Sequence, residues 1–239
     1  MRIAVVSDVH SNLHALEAVL AEVDAAGIDE LWCLGDIVGY GPRPNECAAL
    51  LQERTAICLA GNHDLVVTGQ ISLATFAGEA AAAASWTKQA LGDEARAFLE
   101  SLAPKAAAPG AELFHGSARD PVWDYVLSDE SAHWTFLATS EPLILVGHSH
   151  ISLRFSPGER GATADAGTTV ELGGARQLLN PGSVGQPRDG DPRAAWLEID
   201  NESHRATFRR TEYSVERTQS EMREAGLPEV LAERLEHGI

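Results

Sequence analysis

The chain has 239 residues, of which 44% are hydrophobic, so it can bury a sizeable core and is not a disordered chain. Its 18 Lys and Arg face 35 Asp and Glu, which gives a formal net charge of −17. That charge disfavours broad contact with a nucleic-acid backbone or an anionic membrane, so we expect no extended nucleic-acid surface. A small anionic substrate stays allowed, because a bound metal ion reverses the local field.

The sequence carries no recognisable export signal. Met1-Arg2 leads directly into a short apolar run, without the apolar segment and cleavage site of a signal peptide. No apolar stretch is long enough to span a bilayer. The three cysteines, Cys33, Cys47 and Cys58, show no CxxC spacing and fit a reducing compartment. We therefore predict a cytoplasmic protein without a membrane partner.

The first 65 residues alternate between apolar runs and helix signals. IAVVSD (Ile3–Asp8) is a β-branched run typical of a buried strand. Apolar residues then recur at helical spacing up to Gly27, which is predicted to end that helix. ELWCLGD and AICLAGNHD are two further strand predictions, and Pro44 opens a short helix between them. This βαβαβ order favours a largely parallel sheet with helices outside it.

The pattern changes at Ile151. Before it, Ser72 to Leu102 is predicted to be helical, and AELFHG and PLILVGHSH are again apolar runs that end in polar residues. After it, Gly- and Pro-rich turns separate short runs that favour antiparallel strands: ISLRF, TTVEL, RQLLN, AAWLEID and ATFRR. From Tyr213 the chain is predicted to form two helices around AGLP. With no repeat and no linker composition, we predict one domain over residues 1–239.

Potential metal ligands follow five of the predicted strands. In chain order they are Asp8 and His10, Asp36, Asn62, His115, and His148 and His150. Parallel α/β sheets bind ligands outside the carboxyl ends of their strands, so we expect these residues to meet in one place. Residues two apart in extended chain point the same way, so each D/H-x-H pair is predicted to supply two ligands to one site.

The ligand types and their number indicate a particular kind of centre. Imidazole, carboxylate and amide oxygen without thiolate suit Mn, Fe or Zn. Seven candidates are too many for one tetrahedral ion and suit two ions roughly 3.5–4 Å apart that share a carboxylate. Asp36 stands alone on its loop and is the natural bridge. Gly35 lets the backbone turn closely, and the GYGP turn is predicted to fix this carboxylate between the ions.

The ordered set DVH, GD, GNHD, a lone His and GHSH, over residues 8 to 150, resembles the calcineurin-like metallophosphoesterase superfamily. The stretches GDIVGYGPRPNEC, HGSARDPVWDY and NPGSVGQPRDGDPRAAW further resemble a bacterial subgroup of small phosphodiesterases similar to dinucleoside polyphosphatases. Ala118 departs from this pattern, since that subgroup has proline there. The resemblance implies an α/β fold of two facing mixed β-sheets that form a sandwich flanked by helices, in the layer order α-β-β-α.

The resemblance also implies a role for each motif residue. The first metal ion would be bound by Asp8, His10 and His150. The second would be bound by Asn62, His115 and His148, and Asp36 would bridge the two ions. His63 would bind neither ion and would face the leaving group. The implied activity is hydrolysis of a phosphodiester or dinucleoside-polyphosphate-like substrate, in which a hydroxide shared by the ions attacks phosphorus and an imidazolium protonates the leaving oxygen.

Substrate contacts are less strongly indicated. Arg119 and Arg188 follow motif blocks in a chain poor in basic residues, so both are candidates for binding phosphate. Four aromatic residues could stack a base, although such residues are more often core or dimer contacts, which leaves a homo-oligomer open. They are Tyr40, Trp123, Tyr125 and Trp134. Asp64 is predicted either to orient the Asn62-His63 turn or to cap the helix that follows.

Two other functions fit the same motifs. One is a phosphomonoesterase of broad range. The other is a regulatory or scaffold protein that holds metal without turnover. An intact His63 argues against the scaffold, because a pure binding module has no use for a general acid.

Overall fold

The computed structural model describes all residues from Met1 to Ile239, and its twelve strands form two six-stranded sheets. The strands are β1 (Arg2–Val6), β2 (Glu30–Cys33), β3 (Thr55–Cys58), β4 (Lys105–Ala108), β5 (Ala111–Phe114), β6 (Leu143–Val146), β7 (Ser152–Phe155), β8 (Ala162–Thr163), β9 (Thr169–Glu171), β10 (Gln177–Pro181), β11 (Ala194–Asp200) and β12 (Arg205–Thr211). One sheet has the order β3-β2-β1-β11-β12-β9, and the other has the order β4-β5-β6-β10-β7-β8.

Eight helices flank the sheets. They are α1 (Leu13–Ala26), α2 (Pro44–Arg54), α3 (Asn62–Thr68), α4 (Gly78–Ala90), α5 (Asp93–Glu100), α6 (Asp129–Ala138), α7 (Val215–Glu224) and α8 (Glu229–Glu233). Short 3₁₀ turns occupy Leu73–Thr75 and Arg234–Glu236. None of the helices combines the length and the apolar character that crossing a bilayer requires.

Three buried apolar layers hold these elements together. Residues of both sheets, such as Val5, Leu145 and Leu197, form the layer between the sheets. A second layer joins the first sheet to α1, α2, α3 and α5, and a third joins the second sheet to α6. The predicted sandwich of two mixed sheets with helices on the outer faces is therefore confirmed.

Strand direction within the sheets explains where the polar residues gather. Strand β1 is parallel to β2, and β2 to β3. In the second sheet β5 is parallel to β6. All five candidate ligand segments follow the carboxyl ends of these parallel strands, so the topology delivers them to one end of the sandwich.

Three details differ from the sequence-based predictions. The helical segment from Ser72 to Leu102 is two helices, because the chain breaks at Gly92, whose N–H donates to Asn45 Oδ1 at 2.7 Å. Strand β10 is antiparallel to β7 as expected but parallel to β6. The helix α6 was not predicted. Two of its large apolar residues, Trp134 and Leu137, face solvent. The apolar residues of this segment therefore do not follow the spacing of a helix with one buried apolar face.

Candidate metal centre

The structure brings the seven predicted ligands together as two neighbouring groups. The first ligand group is Asp8, His10, Asp36 and His150, and the second is Asp36, His115 and His148. Within each group the potential ligand atoms lie within 4.8 Å of one another, and all of these residues are buried. Asn62 adjoins the second group, because its Oδ1 lies 3.1 Å from His115 Nε2.

Asp36 belongs to both groups and stands between them. Its Oδ2 lies 3.7 Å from His10 Nε2 and 3.5 Å from His115 Nε2, while its Oδ1 accepts a hydrogen bond from the backbone N–H of His63 at 2.8 Å. The loop that carries Asp36 depends on glycine at Gly61, where a Cβ atom would overlap the Asp36 carboxylate. The position between the groups is the one that the sequence predicted for a bridging carboxylate.

The backbone at the ligands is strained. Five of them adopt positive φ between 49° and 65°, a region that non-glycine residues seldom occupy. They are Asp8, His10, Asp36, His148 and His150. Such strain persists only where the surrounding structure imposes it, and it is typical of functional sites. The D/H-x-H pairs are therefore not extended chain as predicted: Asp8 and His10 still join one group, but His148 and His150 join different groups.

Backbone carbonyls orient three of the four imidazoles. In each case the Nδ1 atom faces a carbonyl oxygen at 2.6–3.2 Å, which leaves Nε2 directed at the site. The pairs are His10 with Val38, His115 with Leu34, and His150 with Gln186. Holding the ring through its second nitrogen fixes the tautomer that a metal ligand needs.

The predicted ligand side chains are buried from solvent, and some of their polar atoms have no hydrogen-bond partner, which is unusual for buried polar groups. Burial lowers the pKa of His10 and His150 well below the ordinary value and that of His148 to about 3, so these imidazoles are neutral at pH 7. The Nε2 atoms of His10 and His150 lie 3.0 Å apart. Asp8 Oδ1 and His148 Nε2 are buried with no hydrogen-bond partner. Unpaired acceptors that converge in this way fit a cation.

The pKa values of the two carboxylates, Asp8 and Asp36, shift in opposite directions. Burial raises the pKa of Asp8 to about 7. For Asp36 burial acts in the same sense, but the charge of His115 outweighs it and holds the pKa well below its ordinary value. The His115 pKa rises to about 9, because attraction to Asp36 exceeds the effect of burial. The shared carboxylate is thus kept ionised by the protonated His115 beside it.

The profile of the calcineurin-like phosphoesterase superfamily domain matches residues 1–202. This chain belongs to the calcineurin-like phosphoesterase superfamily. A metallophosphoesterase structure from Sphaerobacter thermophilus has 42% sequence identity and a TM-score of 0.92, and the match covers 100% of this chain and 99% of that one.

Two further proteins are similar to this chain. An uncharacterized protein of Methanocaldococcus jannaschii is 38% identical over 238 residues, which is 98% of this chain and 96% of the relative. A hypothetical protein of Pyrococcus horikoshii OT3 has a TM-score of 0.82 at 21% identity, covering 100% of this chain and 98% of its own, and shares the fold.

His63 lies beside the predicted ligands without joining either group. Its ring centroid is 4.8 Å from that of His10, 4.5 Å from that of Tyr40 and 4.6 Å from that of Phe76. Its Nδ1 is buried with no hydrogen-bond partner, and burial lowers its pKa to about 4. Asn62 thus adjoins the second group and His63 belongs to neither, while the role of His63 towards a leaving group stays a prediction.

Asp64 fills both of the roles that the sequence left open. Its Oδ2 accepts from the N–H of Gly61 at 2.8 Å, which closes the start of α3. Its two oxygens also accept from the N–H groups of Ile37 and Val38 at 3.2 and 3.0 Å. One buried carboxylate therefore ties the Asn62 turn to the loop that carries Asp36.

The structure separates the three candidates for substrate contact. Arg188 and Tyr40 lie at the centre: the Arg188 guanidinium is 5.9 Å from the Tyr40 ring centroid, and its charge acts on Asp8 and His63. Arg188 Nε is buried without a partner. Arg119 is exposed, and its guanidinium lies 5.7 Å from the Trp134 ring centroid.

Sequence reasoning missed several residues that support the site. The carbonyl of Gln186 holds His150, and the amide of Asn180 donates to the carbonyl of Gly147 at 2.7 Å. Both belong to the NPGSVGQ stretch that resembles the family. Neither shows a chemical signal in sequence, because Gln186 acts through its backbone and Asn180 acts on a backbone. Phe76, which packs on His63, lies outside every motif that the sequence analysis singled out.

Proposed function

We propose that this protein is a dinuclear metal-dependent phosphoesterase that hydrolyses a phosphodiester or a dinucleoside-polyphosphate-like substrate in the cytoplasm. The observation that carries the proposal is the sharing of Asp36 by two buried ligand groups in a member of a metallophosphoesterase family. A carboxylate that is common to two adjacent groups is the feature expected of a two-ion centre.

The residues of each group fit a metal ion. Asp8, His10 and His150 would hold the first ion, and Asn62, His115 and His148 would hold the second, with Asp36 common to both. Neutral imidazoles and carboxylates without thiolate suit Mn, Fe or Zn. When bound, two such ions would activate water near neutral pH and neutralise charge on the phosphate oxygens. They would also draw an anionic substrate to a chain whose net charge is −17.

His63 is the proposed proton donor to the leaving oxygen. It lies close to the ligand groups but belongs to neither, so its imidazole is free to face the substrate. Its pKa of about 4 reflects burial in the absence of substrate. A phosphate anion beside the ring would favour the imidazolium and raise that pKa towards the working pH.

Arg188 is the proposed contact for a phosphate oxygen. Its position beside Tyr40 and its unpartnered Nε leave the guanidinium able to bind an anion at the edge of the centre. Arg119 remains a weaker candidate, because its guanidinium lies over Trp134. Tyr40 packs on both His10 and His63 and supports their orientation as well as facing substrate.

Turnover assays test the proposed function against the two alternatives. Metal-reconstituted protein should hydrolyse bis-p-nitrophenyl phosphate, and metal analysis should give two ions per chain. A phosphomonoesterase would instead prefer p-nitrophenyl phosphate. A protein that binds two ions but turns over neither ester would contradict the enzymatic proposal and favour the scaffold.

A further inference from the structure

We infer that Trp123 and Tyr125 form an aromatic platform that binds the base of a nucleoside phosphate held at the metal centre. The inference rests on the proposed function for the position of the phosphate. It adds the residues that would select a nucleotide among phosphate esters, because the ligand groups themselves recognise only a phosphate.

Tyr125 lies directly against the second ligand group. Its ring is stacked on the imidazole of His148, with centroids 3.9 Å apart and planes inclined by 12°. Nevertheless 45% of Tyr125 is exposed to solvent. One part of the ring is thus held by a ligand imidazole while the rest remains open to a substrate.

Trp123 lies near the His63 side of the centre. Its ring meets that of Phe76 edge to face at a centroid distance of 6.1 Å. Phe76 in turn packs on His63. With 36% of Trp123 exposed, its side chain offers open apolar surface one residue away from the proposed proton donor. Aromatic side chains in this state bind bases by stacking, because every base has a π-face.

The loop that carries the platform is rigidly connected to the ligand His115. The Gly116 N–H donates to the Pro121 carbonyl at 2.8 Å, and Ser117 Oγ donates to Asp124 Oδ2 at 2.7 Å. These bonds fix the loop at both ends of its turn. A platform that is ordered before binding loses little conformational entropy when a ring is stacked on it.

Two further contacts hold Trp123 and Tyr125 in place. Asp120 Oδ1 accepts from the Trp123 N–H at 3.1 Å. Val126, which follows Tyr125, is buried among the apolar residues beneath α6. The two exposed rings therefore sit on a backbone that is anchored on either side of them, which distinguishes them from side chains on a loose surface loop.

Trp134 provides a matched comparison within the same region. It is also an exposed tryptophan, at 44%, but its ring neighbours are His133 and Arg119, and neither belongs to a ligand group. Surface exposure of a large aromatic side chain therefore does not by itself mark a base-binding site. Trp123 and Tyr125 differ from Trp134 in their neighbours, since Tyr125 contacts His148 and Trp123 contacts Phe76, which packs on His63.

Equilibrium binding to Mn²⁺-loaded protein tests the platform without requiring turnover. Calorimetry compares adenosine 5′-monophosphate with ribose 5-phosphate, which carries the same phosphate and sugar but no base. The parent protein should bind the nucleotide more tightly. Trp123→Ala and Tyr125→Ala should each reduce that preference by roughly 5- to 100-fold, which is the range for loss of one base–aromatic stack.

Affinity for ribose 5-phosphate should stay near the parent value in both variants, which also shows that they fold. Tyr125→Phe keeps the ring and should keep the preference, and Trp134→Ala should leave it unchanged. Equal affinity of the parent for both ligands, or an undiminished preference in both alanine variants, would overturn the inference. A protein with the platform but no turnover would refute the proposed function alone, and turnover without a base preference would refute the platform alone.

Discussion

The two ligand groups share Asp36 but differ in what surrounds them. The first group contains its own carboxylate, Asp8, and carbonyl oxygens hold both of its imidazoles through Nδ1. The second has no carboxylate besides Asp36, and the residue that adjoins it, Asn62, offers a neutral amide. Its His148 lies under the half-exposed ring of Tyr125.

This difference indicates a division of labour between the two halves of the centre. With more negative charge and more fixed imidazoles, the first group is expected to be the stronger metal site. The second group has fewer charges and lies next to the exposed aromatic residues, so we expect substrate to approach from that side. The shared carboxylate couples the two, because any change in Asp36 alters both ligand sets at once.

Replacing the shared carboxylate should have the largest effect. Asp36→Asn keeps the shape but removes the charge that both groups use, so both ions should bind more weakly. Activity should fall by more than the roughly 10–100-fold that is typical of losing an outer partner of a ligand. Metal analysis and kcat on bis-p-nitrophenyl phosphate measure both effects. Loss of one ion alone would mean that Asp36 is a terminal ligand rather than a bridge.

The next largest effect should come from His63 and should depend on the leaving group. A ribose hydroxyl or an alkyl alcohol needs a proton on departure, whereas nitrophenolate barely does. His63→Gln should therefore lower kcat by about 10²–10⁴ for the first kind of ester and clearly less for the second. Metal content should stay near that of the parent. A lost ion, or equal rate losses for both esters, would remove His63 from the role of acid.

Graded removal of metal should show directly that the two ligand groups differ in metal affinity. A chelator titration should release two ions in two steps, with the first step from the second group. His148→Ala should abolish the weaker step and keep the stronger one, whereas His10→Ala should weaken the stronger one. Metal content after dialysis at each chelator concentration measures this. If His148→Ala instead abolished the tighter step, the proposed order of strength would be reversed.

Much of this centre could be predicted from sequence, and the reason is chemical. Asp8, Asp36 and His115 follow apolar strands, and few arrangements other than a metal site place such residues at successive strand ends. The alternation of strand and helix lengths predicted the parallel strands with helices outside them, whereas the sandwich of two sheets was implied by the family resemblance. The local geometry did not follow: the ligands adopt left-handed backbone, which residue spacing does not encode.

What sequence could not predict are contacts made by backbone or by residues distant in the chain. Gln186 holds His150 through a carbonyl that any residue would offer. Phe76 reaches His63 from a separate 3₁₀ turn. Helix α6 starts with a Ser128 cap, but its exposed Trp134 disrupts the apolar spacing. Each of these depends on tertiary packing, which overrides local preference.

Replacing Asp64 should have a smaller effect that extends to both ligand groups, because Asp64 ties the Asp36 loop to the Asn62 turn. Asp64→Asn removes one of two buried acceptor oxygens and places an amide donor towards backbone N–H groups. A buried polar group left unpaired costs about 1–3 kcal/mol. Denaturant unfolding of the metal-free protein should show that loss. As a control, Asp93→Asn, on an exposed residue at the start of α5, should change the stability far less.

The smallest expected effect is a change in KM that should differ between Arg188 and Arg119. The difference tests from which side the substrate is held. Arg188 lies at the centre with an unpartnered Nε, whereas Arg119 is exposed over Trp134. Arg188→Ala should raise KM for a polyphosphate substrate by roughly tenfold, the loss expected for one charge-assisted hydrogen bond. It should change KM for a simple nitrophenyl ester much less, because that ester has no second phosphate for Arg188 to bind.

Arg119→Ala serves as the matched variant and should change both values little. Steady-state kinetics on the two substrates measure the four values. If Arg188→Ala raised KM equally for both substrates, Arg188 would support the fold of the centre rather than bind a phosphate that is not being cleaved.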